Sequence, residues 1–216
     1  MNSFKYILFD LDGTLTDPKI GITKSYAYAL SHFGIETSDL DSLCGLIGPP
    51  LRDNFMKLYG FSEQQTELAV KIYREYFSDK GIYENTVYEG IGQLVCDLTK
   101  AGKKLIVATS KPAVYAEKIL EHFDLRHYFD FVSGCELSGE RSEKDEVIKY
   151  ALEKQNITDL SQLVMIGDRK YDIIGAKKLG IVSIGVLYGF GTRQELECAG
   201  ADFIAETVGD IAKMLL

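Results

Sequence analysis

The chain has 216 residues, of which 46% are hydrophobic and 26% are charged, a composition that excludes a disordered chain, a collagen and a coiled coil. Lysines and arginines number 24 against 32 aspartates and glutamates, which gives a net charge of −8. This acidity argues against a nucleic-acid-binding protein and a basic membrane anchor, and no apolar run approaches the roughly 18 residues of a membrane span.

Short apolar runs along the chain predict strands that are buried on both faces of a parallel sheet. Six such runs stand out, at residues 6–9, 105–108, 129–132, 163–166, 181–186 and 203–205. Apolar residues from Ile91 to Leu98 follow helical spacing, and Ser142 with Asp145 predicts the start of a helix over residues 142–155. Strands that alternate with helices indicate an α/β fold of right-handed βαβ units.

Residues 17–85 carry no strand-like run and interrupt this pattern directly after the first predicted strand. Their apolar spacing predicts four helices, at residues 20–33, 38–46, 51–59 and 62–79, and Ser62 with Gln65 forms a capping box. We therefore expect two domains: an α/β core over residues 1–16 and 86–216, and an inserted helical domain over residues 17–85.

The first predicted strand ends in the acidic sequence Asp10-Leu11-Asp12-Gly13-Thr14. Asp10 and Asp12 lie two residues apart, so in an extended chain both carboxylates project to the same side. Two buried like charges are costly unless a cation or a shared proton accompanies them. A plain turn at the strand end is the alternative, but ligands of open α/β sheets bind at this end of the strands.

A second acidic pair follows the predicted strand at residues 163–166. Asp168 lies at the end of that strand, and Asp172 comes one helical turn later on the same face. An acidic helix N-terminus that complements the helix dipole is the alternative explanation. Together with Asp10 and Asp12, however, these four carboxylates from two strand ends predict an oxygen-rich pocket suited to Mg²⁺.

Two further positions supply groups that suit a phosphate. Thr109 and Ser110 follow the strand predicted at residues 105–108, where a hydroxyl can donate to a phosphate oxygen or simply cap the turn. Lys144 lies near the start of a predicted helix, and an ammonium beside a carboxylate nucleophile neutralises charge and holds phosphate. Lys111 and Lys149 are alternative basic residues, and a solvated surface charge is the alternative role for Lys144.

In chain order, residues 10–14, Thr109, Lys144 and residues 167–172 resemble the four motifs of the haloacid dehalogenase-like (HAD) hydrolase superfamily. The resemblance covers essentially the whole chain, and residues 17–85 resemble the C1-type helical cap of that superfamily. Within the superfamily, the sequence is most similar to the phosphoglycolate phosphatase-like branch, and residues 45–52 and 167–177 look closest to members described as bacterial 5′-nucleotidases. The resemblance implies a Rossmann-like, three-layer α/β core with a parallel sheet and an inserted helical cap domain.

This resemblance implies a role for each motif residue. It makes Asp10 the nucleophile that forms an aspartyl-phosphate, and Asp12 the group that protonates the leaving oxygen and then deprotonates the attacking water. It assigns Mg²⁺ to Asp10, Asp168 and the main-chain carbonyl of Asp12, with Asp172 in or near the coordination shell. The remaining implied contacts to the phosphoryl group or substrate come from Gly13, Thr109, Ser110 and Lys144. Arg52 follows Gly48-Pro49-Pro50 and could reach an anionic or hydroxylated part of the substrate, with a surface arginine near a helix start as the alternative. The superfamily often has Asn at the position of Ser110.

The implied function is that of a Mg²⁺-dependent phosphomonoesterase acting on a small phosphorylated metabolite, with a nucleoside 5′-monophosphate favoured and phosphoglycolate as the alternative. A phosphosugar mutase, a phosphotyrosine phosphatase and a non-catalytic binding module are rival interpretations. We expect a cytoplasmic monomer or homodimer that binds neither nucleic acid nor membrane. The four cysteines form no Cys-x-x-Cys pair and are expected to be buried thiols in a reducing compartment.

Overall fold

The computed structural model describes residues 4–216. Its strands are β1 (Tyr6–Phe9), β2 (Thr16–Asp17), β3 (Thr86–Val87), β4 (Lys104–Pro112), β5 (Phe129–Cys135), β6 (Leu163–Gly167), β7 (Val182–Val186) and β8 (Phe203–Ala205). Its α-helices are α1 (Lys19–Ser31), α2 (Leu51–Tyr59), α3 (Glu63–Tyr76), α4 (Ile91–Lys100), α5 (Ala113–His122), α6 (Lys144–Lys154), α7 (Lys170–Lys178), α8 (Arg193–Ala199) and α9 (Val208–Leu215).

Six of the strands form one parallel sheet in the order β5-β4-β1-β6-β7-β8. β1 lies near the middle, where Leu8 is opposite Ile106 of β4 and Met165 of β6. Each predicted apolar run falls on one of these six strands, so the predicted α/β fold with a parallel sheet is confirmed. β2 and β3 pair with each other in a separate two-stranded sheet.

The sheet is buried on both faces, as its near-continuous apolar strands require. On one face, Leu8, Ile106 and Met165 pack in a single hydrophobic cluster with Val147 of α6 and Ala176 of α7. The opposite face, reached by the alternate residues Ile7 of β1 and Val107 of β4, is also fully buried. The helices between the strands therefore enclose the sheet as a three-layer core.

β4 is longer than its apolar run predicted. The run at residues 105–108 predicted the buried part, but the strand continues to Pro112, which is opposite Cys135 of β5. The register shifts between Ala108 and Pro112, which is the irregularity that a β-bulge produces. Residues 109–111 therefore belong to the irregular end of a strand rather than to a following loop.

The chain divides into two compact units. One unit contains the chain up to Asp17 together with Val87–Leu216, and the other is Pro18–Thr86. Each boundary lies one residue later than in the domains expected from the sequence. The second unit is helical and contains α1, α2 and α3.

Aromatic residues form much of the interior of the helical unit. The ring of Tyr26 lies 5.4 Å from that of Phe55 and 5.0 Å from that of Tyr73, centroid to centroid. Tyr26 is almost fully buried, and its hydroxyl accepts a hydrogen bond of 2.7 Å from the side chain of Asn54. A buried tyrosine hydroxyl needs such a partner.

Two predicted helices of this unit are only partly correct. Residues Leu40–Leu46 form a 3₁₀ helix rather than an α-helix, and the aspartate before it, Asp39, accepts a hydrogen bond from the main-chain N–H of Asp41. α3 ends at Tyr76, and Phe77–Gly81 continues as a single π-helical turn. Gly21 of α1 packs directly against the main chain of Gly81, where a Cβ atom would overlap the Gly81 carbonyl.

Two local predictions for the core are wrong. Ser142 does not cap α6, because the helix begins one position beyond Glu143, whose side chain forms a capping box with Glu146. Nor are the cysteines uniformly buried: Cys135 is buried, whereas Cys198 is exposed on α8 and the other two are half-buried. No disulfide joins the four cysteines, all of which lie in the described part of the chain.

Across residues 4–216, every helix is too short or too polar to cross a lipid bilayer.

Candidate active site

Three neighbouring strands bring the predicted polar residues to one edge of the sheet. Asp10 directly follows β1, Thr109 lies near the end of β4, and Asp168 directly follows β6. Since β4 and β6 flank β1 in parallel, their carboxyl ends open at the same edge, where ligands of α/β sheets bind.

A cluster of three buried carboxylates lies at this edge. Oxygen atoms of Asp10, Asp168 and Asp172 lie within 4.8 Å of one another, and each side chain is less than a tenth exposed. Asp172 joins the cluster from the first turn of α7, where its Oδ2 also accepts a hydrogen bond of 3.1 Å from the main-chain N–H of Arg169. The predicted one-turn spacing of the two later aspartates therefore places both in the cluster.

Lys144 provides the positive charge within the cluster. Its Nζ lies 2.8 Å from Oδ1 of Asp10 and 2.8 Å from Oδ1 of Asp172, and it donates to the carbonyl of Ala108 over 3.0 Å. Burial alone would lower the pKa of Lys144, but the two carboxylates outweigh burial and raise it above its usual value. The lysine is therefore charged at physiological pH. Gly175 of α7 leaves room for its aliphatic stem.

One ammonium does not balance three carboxylates. Burial raises the pKa of Asp168 well above its usual value, and the nearby charges of Asp172 and Asp10 raise it further. A site that favours protonation of a carboxylate in this way is short of positive charge. Mg²⁺ fits this site because it is a hard cation that prefers carboxylate oxygens, and Asp10, Asp168 and Asp172 are the residues that could hold it.

We expect Mg²⁺ to stabilise this protein by neutralising the three carboxylates. At about ten times its dissociation constant, Mg²⁺ is expected to raise the Tm by about 4 °C, measured by thermal unfolding. Asp168→Asn removes one of the three candidate ligands and is expected to abolish the shift. Asp145→Asn, on the half-exposed side of α6, is the matched control and is expected to keep the shift. An equal Mg²⁺ shift in wild type and Asp168→Asn contradicts this assignment.

Glycines make the close packing around Asp168 possible. Gly13 has a φ of +85°, and a Cβ atom there would overlap the Asp168 carboxylate. Gly189 and Gly191, which follow β7, approach Asp168 so closely that a Cβ on either would overlap it. Between them, the main-chain N–H of Phe190 donates to Oδ2 of Asp168 over 2.8 Å. This loop was not predicted from the sequence, although two glycines flanking one residue after a predicted strand were a visible signal of a loop.

Two tyrosines that the sequence analysis did not single out lie beside the same carboxylate. The hydroxyl of Tyr188 donates to the carbonyl of Thr14 over 3.0 Å, and the ring of Tyr88 lies 4.9 Å from that of Tyr188 in an edge-on arrangement. Burial raises the pKa of both hydroxyls, and the charge of Asp168 raises it further. Both tyrosines therefore stay uncharged next to the Asp168 carboxylate.

The carboxylate of Asp12 does not join the other three, so the predicted pocket of four carboxylates contains only three of them. Asp12 pairs instead with Lys111. Its Oδ2 lies 2.5 Å from Nζ of Lys111, and both side chains are largely buried. Its Oδ1 is buried and has no hydrogen-bond partner among the described residues. Burial raises the pKa of Asp12 above its usual value, although the charge of Lys111 opposes this effect. Lys149, the other alternative lysine, is exposed on α6.

The remaining predicted residues differ in their surroundings. Thr109 is buried, and its Oγ1 accepts a hydrogen bond of 3.3 Å from the main-chain N–H of Lys111. Ser110 is half-buried beside it. Arg52 belongs to α2 of the helical unit, where it is partly exposed and 3.7 Å from the carboxylate of Glu63. The substrate contact predicted for Arg52 stays a prediction.

A family model described as haloacid dehalogenase-like hydrolase matches residues 7–186. Among curated proteins, the chain is 47% identical to a 5′-nucleotidase of Pseudomonas aeruginosa, over 88% of this chain and 86% of that protein. It is 37% identical to the tyrosine-protein kinase PtkA of Mycobacterium tuberculosis, over 93% of this chain but 65% of that protein. It is 26% identical to a phosphoglycolate phosphatase of Vibrio parahaemolyticus, over 98% of this chain and 96% of that protein.

The fold is also similar to solved structures. The crystal structure of a predicted phosphatase from Clostridium acetobutylicum matches with a TM-score of 0.95 and 50% sequence identity. The match covers 98% of this chain and 97% of that one.

Proposed function

Because this chain belongs to the haloacid dehalogenase-like hydrolase family and is a phosphatase, we propose that it hydrolyses a small phosphomonoester in a Mg²⁺-dependent reaction. The observation that carries this proposal is the cluster of Asp10, Asp168 and Asp172 around Lys144 at the carboxyl ends of the central strands. A nucleophilic carboxylate, an ammonium and a site for a divalent cation are what this chemistry requires.

Charge repulsion is the main barrier that such a site must lower. A phosphomonoester dianion repels the carboxylate that attacks it, and negative charge spreads over the phosphoryl oxygens during transfer. Mg²⁺ held by Asp10, Asp168 and Asp172 would supply positive charge that offsets both effects. Lys144 adds a second positive charge, because it already contacts Asp10 and stays protonated.

The covalent steps are assigned to Asp10 and Asp12. A carboxylate oxygen of Asp10 bonds to phosphorus while the bond from phosphorus to the leaving oxygen breaks. The leaving oxygen keeps the electron pair and takes a proton from Asp12. Asp12 then takes a proton from water, whose oxygen bonds to phosphorus as the bond from Asp10 to phosphorus breaks. Phosphate and the original enzyme result.

The hydroxyls at the end of β4 are proposed to bind the phosphoryl group. Thr109 is buried at the same edge as the carboxylate cluster, and its hydroxyl hydrogen is free to donate, because its oxygen is the acceptor in the contact with the N–H of Lys111. Ser110 offers a second hydroxyl. The phosphate contact predicted for Gly13 stays a prediction, and the absence of a Cβ at this glycine leaves room for the Asp168 carboxylate.

A nucleoside 5′-monophosphate is the favoured substrate. The 47% identical relative from Pseudomonas aeruginosa is called a 5′-nucleotidase, and the match extends over most of both chains. Phosphoglycolate is the alternative, supported by a relative of lower identity. We propose that the helical unit acts as a cap that selects the substrate, with Arg52 as a residue that recognises its anionic or hydroxylated part.

The test is phosphate release from a panel of phosphomonoesters, measured with Mg²⁺, with EDTA, and with Mg²⁺ restored. Nucleoside 5′-monophosphates are expected to be hydrolysed fastest, and EDTA is expected to abolish turnover reversibly.

Other outcomes identify the rival functions. If phosphoglycolate is hydrolysed faster than the nucleotides, it becomes the favoured substrate. If a phosphotyrosine peptide is hydrolysed fastest, the protein is a phosphotyrosine phosphatase. Transfer between sugar phosphates without phosphate release indicates a mutase. Metal-independent turnover contradicts the proposed mechanism, and no turnover of any ester indicates a binding module.

A further inference from the structure

We propose that Lys111 is a positioning residue that holds the carboxylate of Asp12 in place for proton transfer to the leaving group. The inference rests on the proposed function, in which Asp12 is the proton donor. It assigns a role to a residue that the four-motif resemblance leaves without one.

The contact itself is short and well enclosed. Nζ of Lys111 lies 2.5 Å from Oδ2 of Asp12, with side chains only 6% and 13% exposed. An ion pair enclosed to this degree is screened by solvent much less than a surface pair. The pair joins residues far apart in sequence, one after β1 and the other in β4.

The irregular end of β4 brings Lys111 to this position. β4 is parallel to β1, with Val107 opposite Phe9, so the residues that follow each strand lie at the same edge. The register shift after Ala108 keeps residues 109–111 at this edge. If the strand ended at Ala108, as its apolar run predicted, pairing within the sheet would not fix the position of Lys111 relative to Asp12.

Lys144 is engaged elsewhere. Its Nζ lies 2.8 Å from a carboxylate oxygen of Asp10 and 2.8 Å from one of Asp172, and it donates a hydrogen bond to the carbonyl of Ala108. The two lysines therefore serve different carboxylates. Lys144 serves the nucleophile and the metal-site residue, whereas Lys111 serves the acid–base residue.

Holding Oδ2 also determines which oxygen of Asp12 remains available. Oδ1 has no hydrogen-bond partner among the described residues, so the inference assigns the proton transfer to this oxygen. Without Lys111, the charge of Asp10 would repel the Asp12 carboxylate, and several rotamers would become accessible. Proton transfer depends strongly on such placement, because small errors in geometry reduce rates by large factors.

The experiment compares Lys111→Met with wild type on two esters in the presence of Mg²⁺. One is a nucleoside 5′-monophosphate, whose alkoxide leaving group needs a proton, and the other is p-nitrophenyl phosphate, whose phenolate leaves without one. In single-turnover measurements, the substitution is expected to slow transfer from the nucleotide about 10- to 100-fold and from the nitrophenyl ester much less. KM for the nucleotide is expected to change little, because phosphate binding is left to other residues.

Two further variants separate this role from others. Lys111→Arg keeps the cation and is expected to retain more nucleotide turnover than Lys111→Met. In an Asp12→Asn background, Lys111→Met is expected to add no further loss, because its effect runs through Asp12. The matched control is Lys104→Met, which removes an exposed ion pair with Asp130 from the start of the same strand and is expected to behave as wild type.

Equal losses on the two esters, or additive losses in the Asp12→Asn background, overturn the inference and make Lys111 a direct phosphate contact or a structural residue. Wild-type turnover of Asp12→Asn overturns the proposed proton donor and this inference with it. The two failures are therefore distinguishable. If Lys111→Met does not fold, Lys111→Gln replaces it in the same ester comparison, with circular dichroism and Tm reported for every variant.

Discussion

Asp10→Asn is expected to leave a folded chain that releases phosphate at least about 10⁴-fold more slowly than wild type. An amide of nearly the same shape fills the position after β1, but it cannot form an aspartyl-phosphate. Folding is expected to survive because Lys144 keeps Asp172 as a partner at 2.8 Å. The variant also reduces the like-charge repulsion among the three buried carboxylates.

The measurements are phosphate release in steady state and circular dichroism with thermal unfolding. The matched control is Asp145→Asn, an aspartate in the first turn of α6 that pairs with Lys178 on the surface. It is expected to keep wild-type turnover. Near-normal activity of Asp10→Asn contradicts the assignment of the nucleophile, whatever the result for the metal.

Lys144→Met is expected to abolish turnover and also to destabilise the protein. Its ammonium is the positive charge that directly contacts the carboxylates of Asp10 and Asp172. Removing one partner of a buried ion pair leaves uncompensated charge and costs about 3–5 kcal/mol of unfolding free energy. For a chain of this size, that cost corresponds to a decrease in Tm of roughly 10 °C.

Lys149→Met is the control for this prediction, because it removes an exposed lysine from the same helix, α6. Its Tm is expected to lie within a few degrees of the wild-type value. Added Mg²⁺ is expected to recover part of the Tm lost in Lys144→Met but not its turnover, since a cation can offset the carboxylates without restoring the phosphate contact. A Tm of Lys144→Met equal to that of wild type contradicts the electrostatic argument.

Much of the fold could be predicted because its signals are local. Short apolar runs bounded by polar residues identified all six strands of the main sheet, and helical spacing identified most helices. The ends of elements were less predictable, since they depend on tertiary contacts. β4 continues past Ala108 because it pairs with Cys135 of β5, a partner that no local pattern reveals.

The candidate site could be predicted where acidic residues directly follow a predicted strand. Asp10 and Asp168 directly follow apolar strands, and Asp172 lies one helical turn beyond the second of them. The structure brings these three together with Lys144, whereas the carboxylate of Asp12 lies outside the cluster. The roles assigned to them remain proposals to be tested by the variants above.

The ion pair between Lys111 and Asp12 could not be inferred in the same way. The pair depends on the irregular end of β4. From the sequence, Lys111 was only an alternative to Lys144 as the basic residue that holds phosphate. The hydrogen bond from the N–H of Phe190 to Asp168 was equally hidden, because a main-chain donor leaves no signature in side-chain identity. Both contacts arise from loops that meet only after the sheet has formed.

The position of β1 in the sheet affects how the protein can fold during its synthesis. β1 is made before the other strands of the sheet, yet its two neighbours in the sheet begin at Lys104 and Leu163. The central strand therefore pairs only after most of the chain has been made, whereas Pro18–Thr86 is one continuous segment that forms a compact unit of its own and can fold earlier. Until β4 and β6 have been made, the apolar segment Tyr6–Phe9 has no partner strands to bury it. The chain is therefore most prone to aggregation, and most in need of a chaperone, at this stage of its synthesis.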